Sequence, residues 1–287
     1  MQFWIIQTLN SIAFGGLLFL LSSGFSLAFG LMRIPNLAHG GFFMLGAYLG
    51  ATILDQGVNF WLAALGGGIL VAVLGGLLER FVLRGLAGNE QGQVLVTLGV
   101  SFIVADLCLV VWGGDPIPVA APEALRAPLR MAGLAFPTYR LAVLAVAVVA
   151  AIALYLAMER TRLGAMIRAG VDDAQIARVM GIRVSRLFTA VFCLGAGLAG
   201  FAGVIGGPIL ISVSPGLDSD MLPLALIVVI LGGAGSLLGS LVGSFVIAFL
   251  YNFGQAKLPE LSYIILFLPM LLILVLRPQG LFGRKPL

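Results

Sequence analysis

The stretch TLNSIAFGGLLFLLSSGFSLAFGL, residues Thr8–Leu31, contains no charged side chain. A helix needs about 20 apolar residues to cross the hydrocarbon core of a bilayer, and it satisfies its own backbone hydrogen bonds there. The whole chain has a similar character, because 61% of its 287 residues are hydrophobic and 10% are charged. A soluble domain carries about 25% charged residues. The sequence therefore predicts an all-α, polytopic integral membrane helical bundle.

Apolar runs of this kind recur along the chain. The candidate spans are Thr8–Leu31, Leu37–Leu54, Trp61–Leu83, Val94–Trp112, Tyr139–Met158, Leu187–Ile205, Met221–Phe253 and Leu261–Leu276. The stretch Met221–Phe253 is long enough for two helices, and its middle contains Gly232, Gly233 and Ser236. Glycine and serine permit a tight turn or an unwound stretch. We therefore expect eight to nine spans, one of them discontinuous, in a single transmembrane domain covering residues 1–287.

The distribution of basic residues predicts the orientation, because cytoplasmic loops retain Arg and Lys during insertion. With nine crossings, Met1 lies outside and Leu287 inside. The inner side then holds Arg33, Arg80, Arg84, Arg160, Arg162, Arg168, Arg178, Arg183, Arg186, Arg277, Arg284 and Lys285, whereas the outer side holds Arg126, Arg130, Arg140 and Lys257. A single crossing at Met221–Phe253 would move the basic C-terminal residues outside, so the charges favour nine. The net charge of +4 reports this topology and does not indicate a nucleic-acid partner.

Two connecting segments are long enough to have structure of their own. The outer segment Gly113–Thr138 is rich in proline, which predicts an extended or hairpin-like lid, or simply an ordered connection. The inner segment Glu159–Arg186 alternates apolar and charged residues between Leu163 and Met180, as an amphipathic helix does. Gly181 is placed to end that helix. The inner segment therefore predicts a surface that meets a partner, with a solvated, positively charged loop as the plainer alternative.

Five motifs in order resemble those of a known family. They are Ile34-Pro35-Asn36-Leu37-Ala38-His39-Gly40 with Met44, Gly46 and Tyr48; Glu79-Arg80 with Arg84; Arg168-Ala169, Asp172-Asp173, Ala177 and Met180-Gly181-Ile182; Gly232-Gly233-Ala234-Gly235-Ser236 with Gly239 and Gly243; and Arg277-Pro278-Gln279-Gly280-Leu281-Phe282-Gly283. This pattern is similar to the branched-chain amino acid permeases of ATP-binding-cassette importers, with Leu37 in place of a phenylalanine and Gly85 where relatives often have proline. The resemblance runs from about Leu9 to Gly283.

The resemblance implies a set of partners and one functional loop. It implies two ATPase subunits, a second permease chain and a periplasmic substrate-binding protein, in a bacterial inner membrane. A heterodimer of permeases is expected, with a homodimer as the alternative. The substrate would be a small, branched aliphatic amino acid, with urea, an amide or another compact solute as the alternative. Residues 159–186 would form the cytoplasmic coupling loop, with ATPase coupling assigned to Arg168, Ala169, Asp172, Asp173, Ala177 and Gly181.

Other classes of function have less support in the residues. The sequence predicts no catalytic triad, metal cluster or cofactor site, and it lacks a phosphate-binding loop, so ATP hydrolysis is expected on a separate chain. An ion-coupled secondary transporter or a channel usually holds several intramembrane carboxylates, whereas Asp106 is the one well inside a predicted span. Cys108 and Cys193 lie within spans and receive no role.

Five residues are candidates for the translocation path, namely Asp106, His39, Gly232, Gly233 and Ser236. Each also has a plainer interpretation. For Asp106, the plainer interpretation is pairing with a neighbouring helix or a position near the outer surface. His39 is better explained as a residue that caps and fastens the start of the second span. The glycine-rich break would serve helix packing, or would open backbone polar groups to the path.

Overall fold

The computed structural model describes residues 2–32, 36–131 and 134–283. Met1, Arg33, Arg284, Lys285 and Leu287, which entered the topology prediction, lie outside these ranges. The helices of the described residues are α1 (Gln2–Met32), α2 (His39–Asp55), α3 (Phe60–Phe81), α4 (Glu90–Trp112), α5 (Glu123–Arg126), α6 (Thr138–Arg160), α7 (Arg162–Asp172), α8 (Ala174–Val179), α9 (Val184–Leu210), α10 (Leu217–Gly232), α11 (Leu237–Lys257) and α12 (Ser262–Leu276). Short 3-10 turns lie at Leu83–Leu86 and Pro259–Leu261.

The fold is the predicted polytopic helical bundle. Within the described ranges, seven helical stretches are long and apolar enough to span a bilayer, and they contain α1, α3, α4, α6, α9, α11 and α12. The remaining two long helices, α2 and α10, have 17 and 16 residues. At 1.5 Å per residue they are about 24–26 Å long, slightly less than the hydrocarbon thickness. Seven of the nine predicted crossings are thus helices of spanning length and composition, and α2 and α10 are shorter helices at the positions of the other two.

The predicted discontinuity falls between α10 and α11. Gly233 and Gly235 have φ values of 98° and 77°, a left-handed conformation that glycine adopts without strain. α10 ends at Gly232, and α11 begins at Leu237 after Ser236, whose hydroxyl accepts a hydrogen bond from the Gly239 N–H. The run Met221–Phe253 is therefore two helices, as the glycines and serine predicted.

The helices run between two ends of the bundle. At one end, Gly30 of α1 packs against Gly235, and the N–H of Leu281 donates to the carbonyl of Leu231. At the opposite end, the Gln7 amide donates to the Asn252 carbonyl. The break and the segment that follows α12 therefore share an end, as two crossings at Met221–Phe253 require. We call this the inner end, because it is the end predicted to face the cytoplasm.

The centre of the bundle is formed by α1 and α9. α1 is largely buried, and α9 packs on α1, α2 and α3. Glycines allow close approach at these crossings: a Cβ on Gly24 of α1 would lie 2.6 Å from the carbonyl oxygen of Gly195 in α9. Small residues commonly mediate such packing between membrane helices.

The outer connection contains short strands. β1 (Ile117–Pro118) pairs antiparallel with β4 (Ser212–Val213), which follows α9. β2 (Pro128–Met131) and β3 (Leu134–Pro137) form an antiparallel pair. The hairpin-like form predicted for Gly113–Thr138 is thus present, and β1 ties this connection to the end of α9.

Candidate functional site

The inner loop is built from two helices, α7 and α8. The Asp173 carboxylate accepts hydrogen bonds from the N–H groups of Gln175, at 2.7 Å, and Ile176, at 2.9 Å. Asp173 is therefore the N-cap of α8. The prediction of one helix from Leu163 to Met180 is wrong, because an aspartate that caps the following N–H groups leaves helical geometry and ends the preceding helix. Asp172 is the last residue of α7.

α7 is attached firmly to the end of α6. The Thr161 hydroxyl accepts from the Gly164 N–H at 3.2 Å and caps α7. Arg168 pairs with Glu159 at 3.5 Å and also donates to the Met158 carbonyl. Arg168 is one of the residues assigned to ATPase coupling, and its guanidinium holds α7 onto α6. Its neighbour Ala169 is partly buried.

α8 ends as predicted at Gly181. This residue has φ of 85°, and the N–H of Ile182 donates back to the carbonyl of Ala177 at 3.0 Å. Ala177, one of the residues assigned to ATPase coupling, is buried within the chain, so its methyl group is not exposed to a partner. Two apolar side chains of this turn are exposed beside Arg178: Val179 is 89% exposed and Met180 76%. With Ile176, which is also exposed, these two residues form what we call the α8 tip.

A buried polar cluster joins α3 to the start of α9. The Glu79 carboxylate is 3% exposed and pairs with Arg84 at 3.1 Å. The Thr189 hydroxyl lies 2.6 Å from the same carboxylate oxygen, and Arg84 also donates to the Ser185 carbonyl. We call Glu79, Arg84 and Thr189 the inner clasp. Because α9 begins directly after the α7–α8 loop, the clasp connects that loop to the bundle.

The predicted path residues do not form one site. His39 is buried, its Nε2 lies 2.9 Å from the Leu21 carbonyl oxygen, and its ring lies 5.0 Å from that of Phe25. It fastens α2 to α1, in agreement with the plainer interpretation. Asp106 lies in the outer half of α4 and is exposed, far along the bundle axis from Gly232 and Gly233 at the inner end.

The glycine break has satisfied backbone groups. Leu281 and Phe282 donate their N–H groups to the carbonyls of Leu231, at 2.9 Å, and Gly232, at 3.0 Å. Gly232 and Gly233 are buried. The segment after α12 therefore occupies these two carbonyl groups, and an opening of the remaining backbone groups of the break to a path stays a prediction. The fourth and fifth sequence motifs thus contact each other.

Sequence reasoning missed some of these residues. Thr189 carried no signal, because a threonine in an apolar helix is common, and only its contact with Glu79 singles it out. Glu79 and Arg84 were noticed as a motif without a role. The α8 tip was visible as apolar residues in a charged loop, but the register of the helix decides which of them are exposed.

The bundle of long apolar helices defines a multi-pass helical membrane protein. Residues 7–274 match the family described as the permease component of branched-chain amino acid transport systems. The chain belongs to this family. It is accordingly a membrane protein that resides, in bacteria, in the inner membrane.

Individual relatives match over most of the chain. It is 24% identical to the high-affinity branched-chain amino acid transport system permease protein LivH of Escherichia coli, over 98% of this chain and 96% of that protein. It is 26% identical to the corresponding protein BraD of Pseudomonas aeruginosa, with the same coverage. The permease protein LivM of Escherichia coli is 28% identical over 91% of this chain and 67% of its own length. No solved structure gives a significant match.

Proposed function

We propose that the chain is the transmembrane permease subunit of an ATP-binding-cassette importer for a small branched aliphatic amino acid. A periplasmic binding protein delivers the substrate, and two separate ATPase subunits supply the energy. The family match over residues 7–274 carries the importer assignment. The substrate assignment follows the relatives, which are named as branched-chain amino acid permeases.

The α7–α8 loop supports coupling to an ATPase. An exposed apolar cluster in a loop outside the membrane is disfavoured in water, and such clusters mark protein contact sites. The α8 tip is a cluster of this kind, surrounded by the charged residues Arg178 and Asp173. We assign the contact with the ATPase to this tip.

The predicted coupling residues shape the loop that presents this tip. Arg168 attaches α7 to α6, Asp173 starts α8, and Gly181 ends it. Ala177 packs inward. Asp172 and Ala169 stay in the proposed coupling set on the resemblance of the motif. The predicted coupling residues therefore act mainly by holding the α8 tip in position.

The inner clasp offers a route from the loop to the bundle. Hydrogen bonds and an ion pair join the side chains of Thr189, Glu79 and Arg84. A displacement of the start of α9 is therefore transmitted to α3 through these three residues. A buried carboxylate with two partners is rigid compared with an exposed ion pair. The clasp therefore makes α3 and α9 respond to the ATPase as one unit.

Uptake of labelled leucine tests the proposal directly. Cells with and without this chain are compared, with urea and aromatic amino acids as competitors. We expect chain-dependent uptake that leucine competes for and that stops when cellular ATP is depleted. Uptake that collapses with a protonophore while ATP is maintained would instead indicate an ion-coupled carrier, and the absence of leucine-competable uptake would favour a compact solute.

A further inference from the structure

The two faces of α4 differ in an unusual way. Its inward face contains the polar residues Gln93, Thr97 and Ser101, which are buried in the chain. The Thr97 hydroxyl accepts from the Leu37 N–H at 3.2 Å, and the Gln93 amide donates to the Leu86 carbonyl at 2.9 Å. The Thr97 hydroxyl and the Gln93 amide nitrogen therefore have partners within the chain, whereas the Gln93 Oε1 has none among the described residues.

The opposite face carries a carboxylate among apolar side chains. Leu95, Phe102 and Val110 are 68%, 62% and 81% exposed, and Asp106 is exposed among them. Asp106 precedes Trp112, the last residue of α4, by about 9 Å along the helix axis. In the described parts of the chain, no ion pair or hydrogen bond joins the Asp106 carboxylate to a partner. A bare carboxylate at this depth in lipid is strongly disfavoured.

A glycine on the same face allows another helix to approach. Gly99 lies seven residues before Asp106, so the two share one side of the helix. A Cβ added to Gly99 would meet nothing within 4 Å. Small residues at such positions let membrane helices pack closely. An open glycine in line with an unpaired carboxylate fits a protein contact better than a lipid contact.

We propose that this face of α4, formed by Leu95, Gly99, Phe102, Asp106 and Val110, is the seam with a second, non-identical permease chain. The partner helix supplies a cation or a hydrogen-bond donor to Asp106. This inference rests on the proposed function and on the second permease chain that the sequence resemblance implies. Two related permeases of one organism, LivH and LivM, both match this chain.

The charge of Asp106 argues against a second copy of this chain. A two-fold axis that runs along the membrane normal and through this face would place α4 against α4 and bring the two Asp106 carboxylates to the same depth. Like charges in a medium of low dielectric repel strongly. Two outer cations of this chain have other contacts, since Arg140 donates to Asn10 and Lys257 lies over the Trp4 ring. A different chain with its own donor avoids this conflict.

Site-specific photo-cross-linking tests which molecule covers the seam. A photoreactive phenylalanine replaces Phe102, with Val149 of α6, 66% exposed and equally apolar, as the matched control. Source cells carry two differently tagged copies of this chain, and adducts are identified by mass spectrometry. We expect position 102 to yield an adduct with a non-identical chain of the same permease family, and position 149 to yield none. An adduct containing both tags, an unrelated protein, or lipid alone would overturn the proposal.

Substitutions test the chemistry of the seam. We expect Asp106→Leu and Gly99→Leu to lower the yield of co-purified second permease about tenfold at normal membrane abundance. Asp106→Asn should retain more of the pair, because its amide still makes hydrogen bonds. Ala153→Leu, on the exposed side of α6, is the control for added bulk and should leave the yield of the second permease unchanged.

If α4 faces lipid, removal of the charge would leave pairing intact or improve expression. Leucine uptake by the unmodified chain is measured in parallel, so that failure of the seam is distinguished from failure of the transport assignment.

Discussion

At the residue scale, a few side chains determine the shape of the inner loop. Asp173 and Gly181 set the two ends of α8, and Arg168 attaches α7 to α6. None of them lies on the α8 tip, so their effect on a partner is expected to act through the position of the tip.

Replacement of Asp173 tests this indirect role. Asp173→Ala removes both cap hydrogen bonds, which costs about 1 kcal/mol of helix stability. We expect substrate-stimulated ATP hydrolysis by the purified complex to fall severalfold. Asp173→Asn retains a cap and should restore most of the activity. Equal loss in both variants would show that the charge, and not the cap, is what the partner requires.

Substitution of Gly181 tests the contribution of the backbone conformation alone. No atom would contact an added Cβ, so the only obstacle to substitution is φ of 85°. Gly181→Val should cost about 1–2 kcal/mol locally and weaken ATPase association, whereas Gly181→Asn should be tolerated better. Pull-down of the ATPase with the tagged permease provides the measurement, and equal binding by both variants would contradict the prediction.

Glu79 is the residue whose substitution should lower the stability of the fold most. Glu79→Gln leaves Arg84 without its anion and weakens the bond to Thr189. Removal of one member of a buried pair costs about 3–5 kcal/mol, and the half-exposed position of Arg84 reduces this to about 1–3. We expect a lower midpoint of thermal unfolding in detergent. Glu159→Gln, which removes the partner of Arg168 at a more exposed site, is the control and should shift the midpoint less.

At the scale of elements, α8 is the part that we expect the ATPase to contact. Val179→Glu places a charge on the α8 tip and should abolish co-purification of the ATPase while membrane abundance stays normal. Gln175→Glu adds the same charge to an exposed polar position of α8 and should have little effect. Loss of association in both variants would point to general electrostatics in place of apolar docking.

Most elements could be predicted because bilayer spans have a strong composition signal. The break between α10 and α11 was predictable as well, since Gly233 and Gly235 are residues that adopt positive φ. The division of the loop into α7 and α8 was not, because the same aspartate fits the first turn of one helix or the cap of another. The inner clasp depends on tertiary contacts between residues more than 100 positions apart, such as Glu79 and Thr189, and no local pattern reports them.

At the scale of the whole molecule, the two ends of the helical bundle predict which segments face each side of the membrane. With Cys108 and Cys193 replaced, a single cysteine at Gln175 in α8 should react with an impermeant reagent only when the inner side is accessible. A cysteine at Glu123 in α5, which lies in the outer connection, should react only from outside. Labelling of position 175 from the periplasm would reverse the orientation.

The translocation path is the part that neither the sequence nor one chain defines. Asp106, His39 and the glycine break lie at different places in the bundle, and two of them serve internal contacts. If the path forms between two permeases, half of its lining belongs to the other chain, so a single sequence contains only half of the information.

The contact between the break and the segment after α12 has a consequence for synthesis. Leu231 and Gly232 leave the ribosome about 50 residues before Leu281 and Phe282, a delay of about 2.5–10 s at usual elongation rates. During that interval the hairpin of α10 and α11 lacks the two hydrogen bonds that Leu281 and Phe282 later donate. The segment after the last helix therefore completes the end of an earlier one. A nascent chain halted between Lys257 and Leu281 would lack this contact, although nearly all of its spans would already be inserted.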